Sequence, residues 1–239
     1  MVENAVRERL AELAVDAPKL SNAGMTPKVS VVIPTLDAGP AFERVLEAVT
    51  TQDTLWSYDV LVIDSGSTDG TLETIAKFPD VKLHQIKKED FNHGATRNLG
   101  VELTKGEYVA FLTHDALPAN PRWLHNLVMS LDKHPDAAGA FGKHLAYPDA
   151  SRYTQRDLAA HFEGFAKRPL CVSKDTDKNR YEKGNEEWRQ FLHFYSDNNS
   201  ILRRSVWEEI PYRAVTFGED QVWADDIIKA GYRKTYAVR

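Results

Sequence analysis

Three short apolar runs narrow the folds open to this 239-residue chain. VSVVI (29–33), VLVI (60–63) and YVAFL (108–112) are rich in β-branched and aromatic residues and almost free of polar positions. Strands that stay apolar at successive positions are covered on both faces, as in parallel sheets with helices packed on each side. Between the first two runs, Phe42, Val45, Leu46 and Val49 fall at i, i+3, i+4 and i+7, the stripe of an amphipathic helix. The alternation continues with a short helix from about Asp69 to Lys77, a strand near 81–86 and a helix from about Gly94 to Leu103. These elements specify an α/β class: a mostly parallel open sheet flanked by helices, with right-handed crossovers.

The second half is less regular. Trp123, Leu124, Leu127, Val128 and Leu131 mark another helix, and AGAFG (138–142) returns to the sheet. Residues 167–189 are densely charged and read as a long surface loop, mobile or ordered by substrate. A helix containing Val222, Trp223, Ile227 and Ile228 then stops at Gly231 and leads to a terminal strand near 232–238. At the other end, Val6, Leu10 and Leu13 suggest a helix within residues 1–17, and the Pro- and Gly-containing stretch 18–28 reads as a linker. The expected organisation is an N-terminal extension over 1–24, then two halves of one domain, 25–117 and 118–239.

Thirty Lys and Arg against thirty-five Asp and Glu give a net charge of −5, a field that repels polyanions and argues against nucleic acid as partner. No stretch of eighteen apolar residues occurs and the first residues are acidic, so neither a membrane span nor a signal peptide is expected. The single cysteine, Cys171, cannot form an internal disulfide, which fits a reducing, cytoplasmic compartment. It has no histidine partner in a recognisable motif and is not read as a nucleophile.

Open α/β sheets bind ligands beyond the carboxyl ends of their strands. There the sequence places Pro34-Thr35-Leu36-Asp37, Asp64-Ser65-Gly66-Ser67-Thr68-Asp69-Gly70 and Thr113-His114-Asp115. Ser67 to Gly70 are also the residues a turn and helix cap would use. Asp64, directly after a buried strand, is expected to face the crevice.

VSVVIPT, VLVIDSGSTDGT, FNHGATRNLG and YVAFLTHDA, in this order and spacing, resemble the inverting family 2 glycosyltransferases of the GT-A fold, a Rossmann-like architecture, over about residues 29–238. The Phe91-Asn92-His93-Gly94 and Thr113-His114-Asp115-Ala116 variants look most like the rhamnosyltransferase branch, which uses dTDP-rhamnose. The resemblance implies that Pro34, Thr35 and Asp37 line the nucleoside pocket. It puts Asp64 and Ser65 at the base and ribose, where many relatives carry two acids. Ser65 departs from that pattern and weakens the case for a strict uracil preference. Arg97 matches an arginine near the base and phosphates, and a helix opening at Gly94 would favour the same anions. Thr113-His114-Asp115 stands in place of an Asp-x-Asp metal motif, so Asp115 is the one retained carboxylate for Mg²⁺ or Mn²⁺. His114 is either a nucleotide or metal contact or a polar loop residue.

Glu219-Asp220 resembles the family's Glu-Asp motif, which makes Asp220 the catalytic base that deprotonates the acceptor hydroxyl. Glu219 orients the site or meets the acceptor. Asp197 to Ser200 line the acceptor or sugar pocket by the same resemblance, whereas the aromatic stretches Phe191–Tyr195 and Trp207–Tyr212 are read as core ahead of sugar platforms. The activity implied is transfer of rhamnose from dTDP-rhamnose to a saccharide or lipid-linked saccharide acceptor in surface-polysaccharide synthesis, with peripheral contact at the inner face of the membrane. Two alternatives stay open: a UDP-hexose transferase of the same family, and a non-catalytic nucleotide-binding module of a larger assembly. Family members usually continue beyond the position of Arg239, which implies a longer protein.

Overall fold

A computed structural model describes residues 26–238. The helix expected within residues 1–17 lies outside the described residues, as does most of the linker. In chain order the elements are β1 (Val29–Thr35), α1 (Phe42–Thr50), β2 (Tyr58–Asp64), α2 (Thr71–Ala76), β3 (Val81–Gln85), α3 (His93–Glu102), β4 (Tyr108–Leu112), α4 (Trp123–Asp132) and β5 (Ala137–Gly142). They continue with α5 (Arg152–Ala166), β6 (Cys171–Val172), α6 (Lys178–Glu182), α7 (Glu186–His193), β7 (Asn199–Arg203), α8 (Arg204–Glu209), α9 (Glu219–Ala230) and β8 (Arg233–Ala237).

One eight-stranded sheet, in the order β3-β2-β1-β4-β7-β5-β8-β6, runs through both halves. Strands β3, β2, β1 and β4 are parallel. Strand β7 runs against β4 and β5, β8 runs with β5, and the edge strand β6 runs against β8. The continuous apolar runs follow from two covered faces. Val29, Val31 and Ile33 point into a core with α1 and α4, whereas Val32, Ile63 and Phe111 point into a second core with α7 and α9. On α1, Phe42, Val45, Leu46 and Val49 are all buried, and each stabilises the fold by roughly 1.5–3 kcal/mol relative to exposure. Gly100 lets α3 lie against β1, because a Cβ there would come within 2.4 Å of Val32 Cγ1.

The stretch read as a long loop is built differently. It contains β6, which pairs with β8, then α6 and the start of α7. Asp177 accepts the N–H of Arg180 at 3.0 Å and Asn185 that of Trp188 at 2.9 Å, so each helix has a side-chain cap. Charge dominates the composition because the helices are short and expose most of their surface, yet Trp188, Phe191 and Leu192 anchor α7 in the core. Helix α5 was also not legible: only Phe162 and Phe165 of its fifteen residues are buried. No described helix is long and apolar enough to cross a membrane.

Candidate active site

The register gathers the polar segments on one edge of the sheet. Parallel β1, β2 and β4 end there, and β7, running the other way, begins there, with Leu112 opposite Asn199. The Thr113–Asp115 segment therefore leaves the sheet beside Asp197–Asn199.

The loops after β1 and β2 are laced together. Thr68 N–H donates to Asp37 Oδ1 at 2.8 Å, Asp37 N–H to Ser67 Oγ at 2.8 Å, and Gly39 N–H to Asp69 Oδ2 at 2.8 Å. Asp37 adopts φ 44°, a left-handed conformation that its loop bonds hold in place. Asp64 is fully buried, and its carboxylate turns back onto its own loop, accepting the N–H groups of Gly66 at 3.0 Å and Ser67 at 3.1 Å as well as the Ser67 hydroxyl. The expectation that it faces the crevice is thus corrected: three local donors already satisfy it. Thr35 is buried with its hydroxyl on the Ile33 carbonyl, and Pro34 is partly buried. Ser65 Oγ is buried and has no hydrogen-bond partner.

Arg97 also departs from expectation. Instead of facing phosphate it is 4% exposed, with Nε 3.0 Å from Asp197 Oδ2 and Nη1 bonded to Glu219 Oε1. The third contact is Nη1 to the His93 carbonyl at 3.2 Å. The start of α3 is closed as well, since Asn92 caps the Ala95 N–H at 3.0 Å and a Cβ on Gly94 would stand 2.2 Å from the Arg213 carbonyl oxygen. Burial works against the charge on Arg97, but Asp197 and Glu219 outweigh it and the guanidinium stays charged.

Asp197 receives the Ser200 hydroxyl at 2.6 Å and the Tyr212 hydroxyl at 3.1 Å on Oδ1. Its own N–H donates to Asp220 Oδ2 at 3.3 Å, and Asp220 Oδ1 accepts the Gln221 N–H at 2.7 Å. Gly218, at φ 73°, turns the chain into α9, so Glu219 points inward to Arg97 while Asp220 remains half-buried at the rim. Burial, then the neighbouring Glu219, pushes the Asp220 carboxyl above the usual range. A partly desolvated carboxylate with a raised pKa and fixed orientation is suited to accept a proton.

Asp197, Glu219 and Asp220 lie close enough to share an ion. Arg97 already supplies the cation there, so that cluster does not fit a divalent metal. Asp115 is exposed, and two residues before it the Thr113 hydroxyl is buried without a partner. One free carboxylate plus a hydroxyl suits an ion that takes its remaining oxygens from water and phosphate. His114 is half-buried in the same segment, and the Tyr147 hydroxyl holds the Asp115 carbonyl at 2.7 Å.

The sequence reading missed the pairing of Arg97 with Asp197 and Glu219, and the Tyr147 brace. Each joins residues far apart in the chain, and no local pattern signals them. Phe191, Tyr195 and Tyr212 are core residues. Phe217, three residues before Asp220 in the chain, is 87% exposed.

A family model for glycosyl transferase family 2 matches residues 30–211. The O-antigen chain rhamnosyltransferase RfbN of Salmonella typhimurium is 33% identical over 216 residues, covering 87% of this chain and 63% of RfbN. The O-antigen chain rhamnosyltransferase WbaN of Salmonella anatum is 29% identical over 216 residues, covering 88% and 64%. The chain thus spans a little under two thirds of the length of these relatives. Among solved structures, S. aureus TarS 1–349 superposes with a TM-score of 0.65 at 19% identity, covering 89% of this chain and 58% of that one. The mannosyltransferase PcManGT from Pyrobaculum calidifontis, in complex with GDP-Man and Mn²⁺, gives 0.60 at 20% identity, covering 90% and 57%. These two share the fold, and the family match together with the identity to RfbN settles the lineage: the chain belongs to glycosyl transferase family 2.

Proposed function

We propose that the protein is an inverting glycosyltransferase that moves rhamnose from dTDP-rhamnose to a saccharide acceptor in surface-polysaccharide synthesis. The observation that carries this reading is the meeting, on one sheet edge, of the laced nucleoside-side loops, the free Asp115 carboxylate and the oriented Asp220 carboxylate. The family, and two relatives named as O-antigen chain rhamnosyltransferases, support the sugar.

In this reading the nucleoside lies against Pro34–Asp37 and the loop that Asp64 holds from behind, where the Ser65 hydroxyl has no partner within the protein. Asp115, with Thr113 and His114 beside it, is the protein's ligand for Mg²⁺ or Mn²⁺. When bound, the cation offsets charge on the diphosphate. Asp220 takes the proton of an acceptor hydroxyl. The oxygen attacks the anomeric carbon on the face opposite the nucleotide, the carbon–oxygen bond to the diphosphate breaks, and dTDP leaves with inversion. Arg97 acts behind the base, and Phe217 offers an apolar face to the acceptor ring. An acceptor carried on lipid would draw a cytoplasmic enzyme to the inner face of the membrane.

Thermal melting in Mn²⁺ with dTDP or UDP tests the donor. At one hundred times its Kd, dTDP raises stability by about 2.7 kcal/mol, or about 5–10 °C for a chain of this length. Equal concentrations of UDP raise it less. A larger shift with UDP rejects the rhamnose donor, and no shift with either rejects both donors.

Asp115→Asn tests the ion. The Mn²⁺-dependent part of the dTDP shift disappears, whereas the melting temperature without ligand hardly moves, because Asp115 is exposed. A full Mn²⁺ effect in this variant would assign the metal elsewhere.

A further inference from the structure

We propose that Asp197 is a positioning residue for the acceptor-deprotonating carboxylate: its peptide N–H orients Asp220, and its buried, Arg97-bound side chain sets the charge that Asp220 experiences. The inference rests on the reading of Asp220 as base. It starts from a geometry that structural need alone does not explain.

Asp197 is 1% exposed in the second core, where an ionised carboxylate is costly without compensation. Its Oδ1 is well served by Ser200 and Tyr212. Its Oδ2 faces Arg97 Nε at 3.0 Å, but that N–H points off the line of a hydrogen bond, leaving an ion pair by proximity. Arg97 is thus divided between two acids, with Glu219 holding the better-aligned share.

A core designed for stability alone would do as well with apolar side chains of similar volume. Here Arg97 is shared between Asp197 and Glu219, so less of its charge reaches the proposed base. The groups around Asp220 are Asp197 before β7, Arg97 from α3, Glu219 on its own helix, and the buried hydroxyls of Tyr195 and Tyr212. Burial pushes the Asp197 carboxyl up, Arg97 pulls it down, and Asp220 pushes it up again. The two aspartates therefore compete for one proton and titrate as a pair.

The test is Asp197→Asn in the full chain, which keeps the shape and the peptide N–H and removes the carboxyl that competes for Arg97. Aspartate carboxyl carbons labelled with ¹³C are titrated by NMR, with the Asp220 signal identified by its loss in Asp220→Asn. The Asp220 midpoint falls by about one pH unit, because Arg97, which draws it down, is no longer shared with Asp197. With dTDP-rhamnose and water as acceptor, the acid limb of dTDP release moves to lower pH by the same amount, and the donor KM is unchanged.

Ser200→Ala serves if Asp197→Asn does not fold. It leaves every charge in place, weakens the hold on the Asp197 anion, and shifts the midpoint the same way by less. An Asp220 midpoint that stays put in the variant measured overturns the inference, even where melting temperature drops. An enzyme that releases no dTDP at any pH would instead defeat the transferase reading, while the NMR midpoints still judge the coupling.

Discussion

Asp220→Asn lowers dTDP release in the presence of acceptor by about a thousandfold, within the span that a positioned general base contributes. The amide matches the carboxylate in shape but cannot take a proton. Fold and donor binding are retained, since Asp220 lies at the rim and its two hydrogen bonds come from backbone N–H groups. The variant melts no lower than the parent, because burial and Glu219 already disfavour the charge it removes. In the parent enzyme the rate rises with pH as Asp220 ionises, and the rise is centred above the ordinary carboxylate range. Equal rates in variant and parent would remove Asp220 from the mechanism.

Arg97→Met carries the largest expected loss of stability. The substitution keeps much of the volume and the contact with Phe111, and leaves Asp197 and Glu219 buried with no cation. Breaking a buried pair in this way costs about 3–5 kcal/mol, which corresponds to a fall in Tm of about 6–20 °C. The sign of the pH dependence follows from linkage. Burial raises the Asp197 carboxyl above its unfolded value, so the folded state binds more protons in that interval, and this site's contribution to stability declines as pH rises through it. Without Arg97 the interval extends upward. The deficit against the parent is greatest near neutrality and shrinks on acidification. A thermal melting series across pH checks this, and a deficit independent of pH would show that the guanidinium matters by packing alone.

The parallel core was legible because periodicity is local. VSVVI, VLVI and YVAFL lie within β1, β2 and β4, and the Phe42–Val49 stripe became α1. Helices α5 and α6 were hidden because they bury few residues, so their charge outweighs their spacing. At the site, residue type and order located the polar rim, but orientation was beyond reach. Asp64 turns toward Gly66 and Ser67, and Arg97 toward acids about a hundred residues away. The pairing depends on how β7 inserts beside β4, which a single sequence does not encode in any nearby pattern.

The reversal of β7 has a further consequence. Because that strand starts at the site and ends at the far edge, the chain must travel back before α9 can begin. It does so along α3: Tyr212 meets Asn98, Arg213 lies against Gly94, and the Val215 carbonyl receives the Asn92 side chain at 2.9 Å. Each contact fixes one step of a return path whose length is matched to the helix beneath it. An inserted or deleted residue on this path would therefore displace the acid at the start of α9.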